Sequence, residues 1–223
     1  MKNNIKFTWH LILVKKSFLA FLLVFAVSSL ALKTDNLKLF DPMDVFDLEW
    51  ATDPQVSPDG KTIIYVRKSN DIMKDHERSN LWQVSADGTN HRPLYSGLKS
   101  IRSPRWSPNG EKLAFISNDT GSQQIHVRWM DNGETALISQ LQASPSSLAW
   151  SPDGKWLAFT MKIKAPSETI AEPRKKPEGA TWAKGPTIVT TTQYQYDGQG
   201  IVEPAYRHVF IVPADGGTAR QLT

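Results

Sequence analysis

Five histidines, His10, His76, His91, His126 and His208, are the side chains best suited to hold a metal or move a proton, and no two of them stand at metal-ligand spacing. His126 alternates with Ile125 and Val127, the pattern of a strand histidine satisfied by its surroundings; a ligand role is the sharper alternative. Asp41, Asp44 and Asp47 recur at every third position, which on a helix gathers three carboxylates on one face, either as a solvated first turn or as a cation site. Arg174-Lys175-Lys176 is either a solvated loop or a contact for an anion or partner. With no Cys in 223 residues there is no thiol nucleophile, disulfide framework, zinc finger or iron–sulfur site. G-x-S-x-G, H-E-x-x-H, a phosphate-binding glycine loop and EF-hand spacing are all absent from the sequence. No catalytic residue, metal ligand or cofactor is therefore assigned within it. Asn118-Asp119-Thr120 matches the glycosylation sequon, a short and common pattern.

The 26 Lys+Arg against 22 Asp+Glu give a net charge of +4, which first points to nucleic acid or an anionic membrane. Its placement points elsewhere. Residues 1–31 hold Lys2, Lys6, Lys15 and Lys16 and no Asp, Glu or Arg, so residues 32–223 balance at 22 against 22. The lysines precede the apolar run Phe18–Val27, and Ser29 and Ala31 supply small residues at the −3 and −1 positions. This is the layout of a secretory signal peptide cleaved after Ala31. An uncleaved anchor is the alternative, because Leu11–Val14 adds a second apolar patch. The uncharged run Ser17–Leu32 is 16 residues, short of the roughly 20 a spanning helix needs. The expectation is an exported chain, periplasmic or secreted, with no nucleic-acid partner and no stable membrane span once mature.

Three segments align without gaps: Pro54–Val66, Pro104–Ile116 and Ser147–Phe159. Their turn glycines, Gly60, Gly110 and Gly154, are 50 and 44 residues apart, the length of one four-stranded propeller blade. Each turn reads Ser-Pro-Asp/Asn-Gly. Pro58, Pro108 and Pro152 preset φ at the second position; Asp59, Asn109 and Asp153 tolerate the third; glycine takes the positive φ that a three-residue hairpin needs. After the turns, Leu113–Ile116 and Leu157–Thr160 are apolar at nearly every position, as in strands covered on both faces. Asp87-Gly88, Asn132-Gly133 and Asp215-Gly216 mark second hairpins, followed by short fourth strands over Arg92–Tyr95, Thr135–Ile138 and Arg220–Thr223. The fold class expected is all-β: three four-stranded blades of a β-propeller, an incomplete ring, over about 53–98, 99–142 and 143–223 within a partial propeller of 53–223.

From first to second turn glycine the three units span 28, 23 and 62 residues, so the third carries an insertion, about 164–206. Its β-branched and aromatic content around Asp197-Gly198 predicts an extra hairpin. Arg174, Tyr194, Tyr196 and Arg207 are its polar and aromatic candidates for substrate access or a subunit contact; an ornamental surface hairpin is the alternative. Within the segment 32–52, Asp41–Ala51 predicts a short helix capped by Asp41 with Pro42 at its first position, Val45, Leu48 and Trp50 packing inward.

The leader, the helix, Asp53–Gly60, the Trp-Ser-Pro turns at Trp106 and Trp150, Lys176–Trp182 and Phe210–Gly217 together resemble the prolyl oligopeptidase family, nearest its secreted acylaminoacyl-peptidase and dipeptidyl-peptidase-like members. The resemblance covers about 41–223. It implies an N-terminal propeller that screens peptide access to an α/β-hydrolase domain carrying Ser, Asp and His, none of which can be placed here, so the chain alone is expected to be inactive. A TolB-like periplasmic propeller acting as a protein-binding scaffold is the alternative; those proteins place an α/β domain before the propeller. Three blades leave two apolar faces open, so self-association is a further expectation.

Overall fold

The Ser-Pro-Asp/Asn-Gly segments close into turns through their own side chains. In the computed structural model, Ser57 Oγ donates to Asp59 Oδ1 (2.6 Å) and accepts from the Thr62 amide (2.9 Å), while the Lys61 amide donates to Asp59 (3.1 Å). The same bonds recur from Ser107 to Asn109 (2.7 Å) and from Ser151 to Asp153 (2.5 Å). Gly60, Gly110 and Gly154 take φ of 73°, 75° and 69°. The Ser57 amide bonds to the Thr62 carbonyl at 2.8 Å, so the loop is one residue longer than the three-residue reading: the serine hydroxyl replaces its own carbonyl as acceptor.

The structure describes residues 39–97, 100–165, 174–183, 188–189, 192–198, 200–202 and 204–223. The chain divides into two compact units, 1–42 and 43–223. The leader read over residues 1–31 lies outside the described residues. Among those described, no helix is long and apolar enough to cross a membrane.

Three four-stranded antiparallel sheets follow one another and do not close into a ring. The first is β1 (Glu49–Val56), β2 (Thr62–Asp71), β3 (His76–Ser85) and β4 (Arg92–Tyr95), paired in that order. The second is β5 (Ile101–Trp106), β6 (Lys112–Ser117), β7 (Gln124–Trp129) and β8 (Thr135–Leu137). The third runs β9 (Pro145–Trp150), β10 (Trp156–Lys164), β13 (Ala205–Pro213) and β14 (Arg220–Gln221), with the two-stranded β11 (Gln195–Tyr196) and β12 (Gly200–Ile201) inserted between β10 and β13. Asp197-Gly198 turns that hairpin, and a bond from the Ala165 amide to the Pro204 carbonyl (2.9 Å) closes the root of the insertion.

The core is two layers between the sheets. In β6, Leu113 and Phe115 face the first sheet and pack with Ile64, Val66, Leu81 and Ile101. Ala114 and Ile116 face the third and pack with Leu148, Leu157 and Phe159. All four are fully buried, as expected for a strand covered on both faces. In Leu157–Thr160 one face is covered: Leu157 and Phe159 are buried, while Ala158 and Thr160, on the face where no described sheet packs, are half-exposed.

The predicted helix is shorter and of another type. A 3-10 helix covers Pro42–Asp47, and Val45, Leu48 and Trp50 are exposed rather than packed inward. Trp50 already belongs to β1, opposite Lys68, so the ladder of the first sheet stops the helix before it can present an apolar face.

Candidate functional site

The inner strand of each sheet, β1, β5 and β9, carries one irregularity at one place. Asp53, Ser103 and Ser147 take positive φ of 49°, 56° and 54°, and at each the ladder to the next strand slips. Such bulges re-aim the residues after them. Here they bring charge onto the inner edge: Arg105 Nη1 lies 2.9 Å from both carboxylate oxygens of Asp53 in the preceding sheet, and Gln55 Nε2 donates to the same carboxylate at 2.9 Å. Arg102 donates to the Pro145 carbonyl of the following sheet at 2.7 Å, and burial pushes its pKa down from the ordinary arginine value. These groups hold neighbouring inner strands in register. They carry no nucleophile, so their chemistry is positioning and charge presentation along the inner edge.

The insertion residues stand apart from that edge. Arg174 and Arg207 are exposed, and Tyr194 and Tyr196 are 46% and 43% exposed beside and within β11. No side-chain bond or ring contact among the described residues joins these four. Near the insertion's root lies an open groove of about 910 Å³, with Ile138, Leu141, Met161, Phe210, Lys162 and Gly217 among its walls. It runs between the second and third sheets beside Lys164, where the insertion leaves β10.

The four histidines of the described region all sit in structural surroundings: His76 stands opposite Asp71 where β3 pairs with β2. His91 Nε2 lies 2.6 Å from the Tyr65 hydroxyl, and His208 Nδ1 lies 2.6 Å from the Thr223 carbonyl. His126 is buried, stacked on Phe115 with centroids 5.6 Å apart, and its Nδ1 has no partner. Burial holds its pKa below the ordinary imidazole value. Next to it, Tyr95 donates to Asp119 Oδ2 at 2.6 Å across the first and second sheets, and that carboxylate, with burial, pushes the phenol up to about 12. Among the described residues no three His, Asp or Glu gather as a metal site. Asn118 of the sequon is half-buried and its amide oxygen accepts from the Ser100 amide at 2.8 Å.

Two features escaped the sequence reading. The first is the turn serine, Ser57, Ser107 and Ser151, whose hydroxyl the recurring Ser-Pro pair already displayed. The second is the indole of the Trp-Ser-Pro turns. Trp106 Nε1 donates to the Gln55 carbonyl (3.2 Å) and Trp150 Nε1 to the Arg105 carbonyl (2.9 Å), each reaching the preceding sheet. The acceptors are backbone groups about a repeat away in sequence, where no residue type signals them.

The family model described as TolB beta propeller domain matches residues 72–223. An uncharacterized peptidase of Bacillus subtilis is 32% identical over 187 residues, which is 83% of this chain and 28% of the relative. Dipeptidyl-peptidase 5 of Porphyromonas endodontalis is 27% identical over 113 residues, 51% of this chain and 16% of the relative. The chain thus spans less than a third of the curated relatives it matches. Among solved structures, an acylaminoacyl peptidase of Pyrococcus horikoshii superposes with a TM-score of 0.59 at 16% identity, over 82% of this chain and 26% of that one. The relatives are peptidases, in line with the resemblance read from the turns and the insertion.

Proposed function

Since the chain belongs to the TolB beta propeller domain family, we propose that it is the propeller part of a secreted serine peptidase of the prolyl oligopeptidase family, screening which peptides reach a hydrolase domain. The observation that carries this is the match to the Bacillus subtilis peptidase, which runs through 83% of the chain and so through all the blade turns together rather than one shared motif. The likeness to the acylaminoacyl peptidase structure supports the fold on which such a screen would be built.

The chemistry supports the same reading. Among the described residues the inner edge offers the Arg105–Asp53 ion pair and the bond from Arg102 to the Pro145 carbonyl, which suits a wall that peptides pass. Peptides are the substrates on this reading, and Arg174, Tyr194, Tyr196 and Arg207 of the insertion edge either the entrance or a subunit contact. The lysine-rich leader supports export to the periplasm or beyond, and the uncovered outer faces support self-association of the chain alone. A TolB-like scaffold remains the second reading, favoured by the family model's own description.

One exchange separates them. Residues 43–223 replace the matching region of the Bacillus subtilis peptidase. On the peptidase reading the hybrid hydrolyses short peptides and spares unfolded proteins, while this chain alone hydrolyses neither. Equal rates on peptides and unfolded proteins by the folded hybrid would remove the screening role, and acyl-peptide cleavage by this chain alone would remove the division of labour.

A further inference from the structure

The cleft between the first and second sheets holds two arginines on its facing walls. Residues directly opposite in an antiparallel ladder share a face. Ile64 packs with Leu113 and Phe115 of the second sheet, so Gln83, opposite Ile64, and Arg92, opposite Gln83, lie on the face turned to that sheet. Leu113 packs against the first sheet, so Arg128, opposite Leu113, and Thr135, opposite Arg128, lie on the face turned back. β4 and β7 therefore present Arg92 and Arg128 to one another across the outer part of the cleft, away from the inner strands. Arg128 is half-buried and Arg92 is exposed.

Both guanidinium groups are held by neutral partners. Arg128 Nη1 donates to Thr135 Oγ1 at 3.2 Å, and the Gly133 backbone closes on the same head, where a Cβ would stand 2.9 Å from Nη2. Its Nε is buried without a partner. The Gln83 side-chain oxygen, in the amide orientation that satisfies both groups, accepts from Nε and Nη2 of Arg92, each at 3.2 Å. Among the described residues neither arginine has an ion pair, whereas Arg67, Arg78 and Arg105 each have one. Asp119, in the same cleft, lies past the far end of β6 from Arg128 and accepts from Tyr95 at 2.6 Å. Burial lowers the pKa of Arg128, Tyr95 works against that, and the Arg92 charge adds to it. Two like charges set face to face in a partly buried cleft repel one another, and a ligand with two negative charges relieves both.

We propose that Arg92 and Arg128 form a binding site for a small tetrahedral oxyanion of the phosphate class, seated between β4 of the first sheet and β7 of the second. The N–H groups that Gln83 and Thr135 leave free donate to its oxygens. Its two charges answer the two cations, where a carboxylate would answer one. The bound anion bridges the outer parts of two sheets whose buried contact is otherwise apolar, and so fixes one against the other. The site does not depend on the peptidase reading.

Inorganic phosphate is titrated into the full chain at about pH 8, where it is largely the dianion, with chloride holding the ionic strength constant. Calorimetry and Tm read the binding, and a saturable one-to-one isotherm with a rise in Tm is expected. Arg92→Gln, at an exposed position where folding is not at risk, is expected to weaken phosphate roughly tenfold or more. Arg128→Lys keeps the charge without the planar fork and is expected to fall between that variant and the unaltered chain. Arg220→Gln removes the same charge from an exposed position on the third sheet and should leave the affinity unchanged. Acetate, a monoanion, is expected to bind roughly tenfold more weakly than phosphate. Phenyl phosphate separates two sources of the same chemistry: binding equal to phosphate admits a phosphate group carried on a larger molecule, exclusion restricts the site to the free anion, and both support it. The proposal is overturned by an unaltered chain without saturable phosphate binding, by an Arg92→Gln chain that binds phosphate equally well, by an equal loss in Arg220→Gln, or by acetate binding as tightly as phosphate.

Discussion

His126 shows how a residue that invites a chemical reading can be explained by its packing. Its ring lies on Phe115, its Nδ1 is buried without a partner, and the Tyr95–Asp119 bond beside it crosses between two sheets. Of the charged groups, Asp119 favours the imidazolium, and Arg128 follows two residues along β7, its own pKa lowered by burial. Burial is the largest influence on His126 and favours the neutral ring, so the folded-state pKa lies below the unfolded value of about 6.5. The sign follows from linkage. The unfolded chain takes up the proton first, so the contribution of His126 is intact above about pH 6.5 and is lost as pH falls from there toward the folded pKa. The loss is at most about 1.4 kcal/mol per pH unit for one proton. His126→Phe keeps the ring stack and removes the proton site. Urea melts at pH 7 and pH 5 should therefore show a smaller acid loss in the variant than in the unaltered chain; equal losses would place the acid sensitivity elsewhere.

At the scale of elements, turns and strands were legible because their causes are local. Proline, Asp or Asn, and glycine at fixed offsets select one turn, and the apolar run that follows needs two covered faces, which β6 has. The 3-10 helix was not legible, because Val45, Leu48 and Trp50 mimic a helical stripe while Trp50 is taken by a ladder partner in β2. The bulges at Asp53, Ser103 and Ser147 left only a faint trace: Asp and Ser tolerate unusual φ, but nothing local requires it. Of the candidate site, the insertion and its hairpin could be read from spacing, whereas the Asp53–Arg105 pair depends on two sheets meeting. The turn glycines separate local from non-local cause. Gly60 and Gly110 share nearly the same φ, but a Cβ at Gly60 meets nothing within 4 Å and one at Gly110 meets Pro58 of the preceding sheet. Each Gly→Ala change should cost about 1–2 kcal/mol for the left-handed conformation. At Gly110 the added Cβ stands in ordinary van der Waals contact with Pro58, so Gly110→Ala should cost no more than Gly60→Ala, as read from urea midpoints at constant m. A clearly larger loss at Gly110 would mean that the Pro58 ring has to move.

For the whole molecule the question is what its charge is for. A pI near 9.2 and a net charge of +4 describe the 223-residue chain, but the excess sits in Lys2, Lys6, Lys15 and Lys16, ahead of an apolar run. The 22 basic and 22 acidic residues that follow balance formally, and among the described residues some of them pair within a sheet, as Lys68 with Glu77, or across sheets, as Arg105 with Asp53 and Lys112 with Asp215. A segment whose formal charges balance offers no excess of cations of the kind that draws phosphate backbones. With no cysteine, its exported form would rest on the two apolar layers between sheets and on the bonds that cross them. The proposed export then has a measurable electrostatic consequence. Cleavage after Ala31 removes all four excess lysines, so the mature chain should begin at Leu32 and focus near neutrality, well below the precursor's 9.2. Isoelectric focusing with N-terminal sequencing of the secreted fraction checks both together. A mature chain that begins at Met1 and stays in a membrane fraction would instead make the apolar run an anchor, and the lysines would then mark its orientation.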